Sequence, residues 1–229
     1  MKITQNIKVA VDAVVFGYSY NKLKILLIQQ KFGTKTNKWA LPGGFVKDNE
    51  NLEEAVIREL SEETGVKANY LEQLYTFGEI NRDERARVIA VSYIALINPK
   101  NYTIKADTDA KDAKWFSINE IPNLAFDHKE IIEKGLERLK AKINYQPIGF
   151  ELLNTKFPFS DLENLYQTIL GKKIDRRNFR KKLLSFEILQ ETKEVQKIGS
   201  GRPAKLFKFN RKKYKELEHK GFHFEIKFA

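Results

Sequence analysis

Residues 44–66 read GFVKDNENLEEAVIRELSEETGV, where Asp48, Glu50, Glu53, Glu54, Glu59, Glu62 and Glu63 are set against only Lys47 and Arg58. The surrounding chain of 229 residues carries a formal net charge of +11, so this local excess of carboxylates needs a cause. Asn51 with Glu54 three positions on is a capping box and Gly65 is a stop signal, which predicts a helix over 52–64. On that helix Glu59, Glu62 and Glu63 share one face, and three like charges so close repel unless a cation lies between them. A hard divalent ion such as Mg²⁺ suits an oxygen-only set, with Arg58 placed to pair with one carboxylate and orient it. Taken alone, the same letters also describe a solvated helix face.

Outward from this helix the pattern is mixed. Val9 to Phe16 and Leu23 to Ile28 are apolar, β-branched runs separated by Gly17 and Asn21, and predict paired strands. A short strand at Trp39 to Pro42 ends on Gly43-Gly44. Tyr70 to Phe77 and Val88 to Ile97 read as strands, the second apolar enough to be buried on both faces, and Trp115-Phe116 marks another. Asp127 with Glu130 is a further capping signal, and Ile131, Ile132, Gly135, Leu136 and Leu139 follow at helical spacing to about Ile143.

Residues 144–159 have no sustained period and read as a linker. Beyond them Ser160 with Glu163 predicts a helix ending at Gly171, and Asp175 caps a second helix whose Phe179 and Leu183 face inward. Strands at Ile188 to Thr192 and Lys205 to Phe209 flank the basic, Gly-rich loop KEVQKIGSGRPA. Helix, turn, helix, then hairpin is the outline of a winged helix-turn-helix over 160–229. Charge follows the same division: residues 1–144 balance at 22 − 20 = +2 and residues 145–229 at 19 − 10 = +9. The second part therefore faces a polyanion, and double-stranded DNA is the expected partner. Arg176, Arg177, Asn178, Arg180 and Lys181 on the basic helix, with Arg202 and Lys205 in and beside the loop, are the expected contacts.

Composition closes off several classes. Hydrophobic residues make up 42% and charged residues 31%, which suits a globular chain. Without cysteine there is neither a disulfide nor thiolate chemistry, and a metal would need oxygen or histidine ligands. With no apolar run of membrane-spanning length and no signal-peptide pattern, the expectation is a cytoplasmic protein without a membrane partner.

The spacing Gly44, five residues, Glu50, seven residues, Arg58-Glu59-Leu60, one residue, Glu62-Glu63, one residue, Gly65-Val66 matches the Nudix box at every position. Average residue usage would produce its specified letters on the order of once in 10⁸ starting points. The resemblance implies a Nudix α/β/α sandwich over 1–143. It also implies Mg²⁺ or Mn²⁺ on Glu59, Glu62 and Glu63, and a catalytic set of these three with Arg58 and Glu50. In such enzymes the metals bridge a pyrophosphate and activate water.

The stretches PIGFELLNTKFPFSDLENLYQTILG, DRRNFRKKLL and GSGRPAKLFKFN resemble the C-terminal domain of the Nudix-related transcriptional regulators. LAFDHKEII at 124–132 and TFGEINRDERARVIAVSYIAL at 76–96 resemble the same family. What this implies is a homodimer that binds a palindromic operator and releases it when an effector binds: ADP-ribose in one branch, arabinose in another. Phe45, Arg82, Arg87, Phe126 and His128 are the expected effector contacts, His128 also having a structural reading. The box keeps every acidic position, so hydrolysis of an ADP-ribose-type substrate stays open beside sensing. The loop INRDERAR departs from the DPRG-like loop of many ADP-ribose hydrolases, leaving Glu79, Asp83 and Glu84 as substitute bases. Trp39 and Trp115 read as core, Arg211 to Lys215 as a solvated terminal helix, and Phe222 to Phe228 as a strand that completes a sheet or joins the dimer.

Overall fold

The computed structural model describes residues 6–30, 38–104, 110–197 and 203–229. The chain divides into two compact units, Met1–Arg138 and Leu139–Ala229. In the first, β1 (Lys8–Ser19), β2 (Lys22–Gln30), β3 (Trp39–Ala40), β4 (Gly43–Phe45), β5 (Leu71–Phe77), β6 (Val88–Ile97) and β7 (Ala110–Ser117) form one mixed sheet. Its path is β3-β2-β1-β6-β5, with β4 pairing β1 and β7 pairing β2. The β1–β2 hairpin turns through Tyr20 and Asn21, both at positive φ (52° and 56°), the two-residue turn whose twist matches that of the strands. Beside it β1 runs parallel to β6 from Lys8↔Val88 to Gly17↔Ile97.

Two helices cover the two faces of this sheet, as the period of two along β1 requires. Val11, Ala13 and Val15 pack with Ala55, Val56 and Leu60 of α1 (Leu52–Thr64). Val14 points the other way, against Gly135 of α2 (His128–Tyr145), where a Cβ would come within 2.9 Å of Val14 Cγ1. The helices are thereby held on opposite sides in an α/β/α sandwich. Helix α1 has the expected ends: Asn51 and Glu54 exchange their capping bonds, and Gly65 at φ 70° donates to the Ser61 carbonyl.

The second unit contains β8 (Phe157–Pro158), α3 (Phe159–Leu170), α4 (Arg176–Ser185), β9 (Leu189–Gln196), β10 (Ala204–Phe209) and α5 (Arg211–Lys220). Its sheet runs β8-β10-β9, and Leu162, Leu165, Tyr166, Phe179, Leu183 and Phe207 are buried in its core. This is the winged helix-turn-helix architecture.

Three local expectations are corrected. Residues 144–159 are built into the second unit, since Ile148, Phe150, Leu152, Leu153 and Phe157 are buried and the Tyr166 hydroxyl donates to the Ile148 carbonyl at 2.9 Å. A 3₁₀ turn at Phe150–Leu152 breaks the period that a regular element would have shown. Helix α3 begins at Phe159, with Pro158 at the cap position and no side-chain capping bond, so Ser160 does not cap it. The tail alternates in burial, with Phe224 and Ile226 inside, but among the described residues its strand pairing is an isolated bridge between Ile174 and Phe228. It closes onto residues 173–175 of its own unit, with the Asp175 N–H donating to the Lys227 carbonyl.

Candidate functional site

A cavity of about 440 Å³ opens where β4, the N-terminal half of β1, the 78–87 loop and the start of α2 meet. From the box helix it receives Glu59 and Glu63, and from the glycine turn Gly43, Gly44 and Phe45. The strand must lie close to the helix here, because a Cβ on Gly44 would sit 2.4 Å from Glu59 Oε1. The Gly43 N–H donates to Glu63 Oε2 at 2.8 Å, tying turn to helix.

Arg58 organises the carboxylates. Its Nε and Nη2 donate to the two Glu50 oxygens at 2.8 and 2.6 Å, and its Nη1 donates to Glu59 at 2.7 Å and Glu62 at 3.2 Å. The guanidinium holds the Glu50 carboxyl down to about 2, while burial pushes Glu59 upward. Glu50, Glu62 and Arg58 do not line the cavity. Among the described residues no three Asp, Glu or His side chains stand in a metal-holding arrangement. Arg58 stands among these carboxylates as a cation, and the Gly43 amide occupies one oxygen of Glu63. Donor chemistry suits Mg²⁺ or Mn²⁺, whereas the arrangement does not converge on one.

Opposite the box lies a buried charged cluster that the sequence showed only in part. Asp12 is a lone acid within the apolar run of β1, a signal left unused, and burial pushes its carboxyl upward. Arg82, with its side chain 4% exposed, donates to Asp127 Oδ2 at 2.8 Å and Oδ1 at 2.6 Å, and reaches Asp12 Oδ2 at 3.5 Å. Asp127, read as a helix cap, thus directs both carboxylate oxygens to a residue 45 positions earlier. His128 Nδ1 accepts the Leu41 N–H at 2.9 Å, which places the ring proton on Nε2, 3.6 Å from Asp12 Oδ1. A ring nitrogen that accepts a hydrogen bond carries no proton, so the ring is neutral, and burial pushes the His128 pKa down in the same sense.

Of the expected effector contacts, Phe45, Arg82, Phe126 and His128 line the cavity and Arg87 does not. The Arg87 guanidinium instead donates to the Glu79 carbonyl within its own loop. Arg85, which sequence reasoning missed, lines the cavity with its guanidinium 4.8 Å from the Phe126 ring centre. Among the substitute bases only Asp83 reaches the cavity, and Arg85, bonded to both its oxygens, holds its carboxyl low, which makes it a poor base. A larger cavity of about 660 Å³ shares Phe126 but none of the box residues. Trp115 packs into the core and Trp39 lies edge-on to Phe116.

In the second unit Arg177, Asn178 and Lys181 are exposed on α4. Arg176, also exposed, pairs with Glu163 at 3.2 Å, and the Asn178 N–H donates to the capping Asp175. Arg180 is only half exposed, because its guanidinium lies 5.0 and 5.2 Å from the Phe159 and Phe207 ring centres. Lys205 pairs with Glu191, and Arg202 lies outside the described residues. Among those residues no helix is long and apolar enough to cross a membrane.

Comparison with known proteins covers both units. The NUDIX domain family matches residues 7–135, and the family described as NrtR DNA-binding winged helix domain matches residues 149–209. The chain is similar to the ADPR responsive transcriptional repressor NtrR of Acinetobacter baylyi, at 34% identity over 203 residues, 87% of this chain and 80% of that protein. A crystal structure of Shewanella oneidensis NrtR complexed with a 27mer DNA superimposes with a TM-score of 0.81 at 31% identity, covering 95% of this chain and 98% of the other. The first unit alone is similar to the ADP-ribose pyrophosphatase of Methanocaldococcus jannaschii, at 41% identity over 125 residues, 55% of this chain and 70% of that enzyme.

Proposed function

Because the chain belongs to the NrtR family of ligand-responsive transcriptional regulators, in which a Nudix sensing domain precedes a DNA-binding winged helix, we propose that its effector is ADP-ribose. One observation carries the reading: two guanidinium groups, Arg82 and Arg85, and two aromatic rings, Phe45 and Phe126, line the same cavity. Guanidinium groups recognise phosphate oxygens, and exposed rings offer faces to a base. At about 440 Å³ the cavity is of a size that holds small-molecule ligands. A free pentose carries no anionic group for either guanidinium to recognise, which disfavours arabinose. The protein acts as a homodimer on a palindromic operator, the two winged helices reading half-sites, and ADP-ribose weakens that binding. A ligand does so only to the extent that it prefers one arrangement of the protein. Calorimetric titration of the full chain tests the effector: ADP-ribose binds saturably, and arabinose gives no heat. The reverse pattern removes the proposal.

A second reading, hydrolysis of ADP-ribose, is favoured by the complete box with Glu59 and Glu63 on the cavity wall. It would need Mg²⁺ or Mn²⁺ held by Glu59, Glu62 and Glu63, two of which Arg58 now pairs with. Incubation with ADP-ribose and Mg²⁺ followed by chromatography decides it: phosphomonoester products support turnover, and intact ligand leaves sensing alone.

A further inference from the structure

The cluster of Arg82, Asp127, Asp12 and His128 holds a cation that an anionic ligand would compete for. Arg82 is the one of the four on the 78–87 loop; Asp12 belongs to β1, while Asp127 and His128 are the residue before α2 and its first residue. All but Asp127 line the cavity, and the Arg82–Asp127 pair is a two-point contact made almost out of water. In this cluster two carboxyl groups face one guanidinium. Its single cation is therefore shared, the bond to Asp12 at 3.5 Å being stretched and the bonds to Asp127 short. A diphosphate entering the cavity would bring more negative charge to Arg82 than either carboxylate does, in a site where low dielectric strengthens the interaction.

We propose that Arg82 is the effector-operated latch of this protein: it holds the start of α2 through Asp127 when the cavity is empty of anion and transfers to the ligand's diphosphate on binding. This rests on the ADP-ribose reading. Transfer leaves Asp127 without its partner at the head of a continuous helix. The residues of that helix up to Arg138 belong to the sensing unit, and those from Leu139 to the DNA-binding unit. Coupling between effector and DNA then has a defined molecular origin, and linkage makes it reciprocal: loss of the Asp127 charge, with Arg82 kept, both strengthens effector binding and mimics its presence.

The test is a double-mutant cycle read by calorimetry with ADP-ribose on the full chain. Asp127→Asn keeps the size of the side chain and removes its charge. It is expected to tighten ADP-ribose binding about five-fold or more, the low end of ordinary coupling, because the ligand no longer displaces a carboxylate. Removing any negative charge near the cavity would favour an anion somewhat, so the same change is made in Arg82→Gln, where the latch predicts no tightening. Asp127→Glu, which restores the carboxylate, is expected to return binding toward the wild-type value. Equal tightening in both backgrounds, or none in either, overturns the latch. Should wild type fail to bind ADP-ribose at all, the effector reading falls and the latch with it; binding without the cycle's coupling removes the latch alone. If Asp127→Asn does not fold, hydrogen exchange of the wild type replaces it. ADP-ribose must then speed exchange at the amides of residues 129–132, and slower exchange there overturns the proposal.

Discussion

Two arginines three residues apart on α4 are expected to do different jobs, and DNA binding separates them. Arg177 is exposed, whereas Arg180 lies across the Phe159 and Phe207 rings. Each cation that neutralises a phosphate contributes about 0.9 to the slope of log K against log salt. Arg177→Ala should therefore flatten that slope by ~0.9 for every protomer on the DNA. It should also weaken binding by about 1.5 kcal/mol, the low end for a hydrogen bond to a charged group and close to ten-fold in Kd. Arg180→Ala should leave the slope unchanged. It removes a half-buried cation from two ring faces, about 0.5–2 kcal/mol of folding stability. For a unit of this size each kcal/mol moves Tm by about 4–8 °C. The assay is fluorescence anisotropy of the full chain on random-sequence duplex DNA across a KCl series, since non-specific binding isolates the phosphate contacts. A slope that changes with Arg180→Ala and not with Arg177→Ala would refute the assignment.

Other outcomes follow from the same geometry. Tyr166→Phe removes a fully buried hydroxyl from the Ile148 carbonyl without changing packing, and should cost about 1–2 kcal/mol, seen in calorimetry as a lower Tm of the second unit. Gly44→Ala should weaken ADP-ribose binding, because its Cβ would displace the Glu59 carboxylate 2.4 Å away; unchanged affinity would show that Glu59 takes no part. Glu50→Gln should destabilise the first unit at neutral pH. Arg58 holds the folded Glu50 pKa at about 2 against an ordinary 4.5, so its contribution is present above 4.5 and is lost as pH falls toward 2. The melting difference between wild type and Glu50→Gln should shrink across that window; a difference that widens as pH falls would contradict the Arg58–Glu50 clasp.

What was legible in the sequence was what depends on neighbours along the chain. Asn51, Glu54 and Gly65 cap and stop α1 by local bonds, and the apolar letters of Val88 to Ile97 report burial on both faces wherever the partners come from. The spacing of Glu59, Glu62 and Glu63 puts them on one helix face, and of these Glu59 and Glu63 line the cavity while Glu62 does not. The rest is non-local. Nothing near Asp127 announces Arg82, and nothing near Arg180 announces Phe207, because each pair meets only when the fold closes. Residues 144–159 read as a linker because their buried side chains sit on an irregular backbone, which leaves no period in the sequence. Asp12 is the instructive case: a single carboxylate inside an apolar strand must find a cation or a cavity, and here it has both.

The central claim, that one small anionic nucleotide governs the grip on DNA, is tested most directly by titrating ADP-ribose into a complex of the full chain with a duplex carrying its operator while anisotropy is followed. The account predicts dissociation by ADP-ribose and none by arabinose at the same concentration. DNA that stays bound at saturating ADP-ribose, with binding of the ligand confirmed by calorimetry, would contradict it.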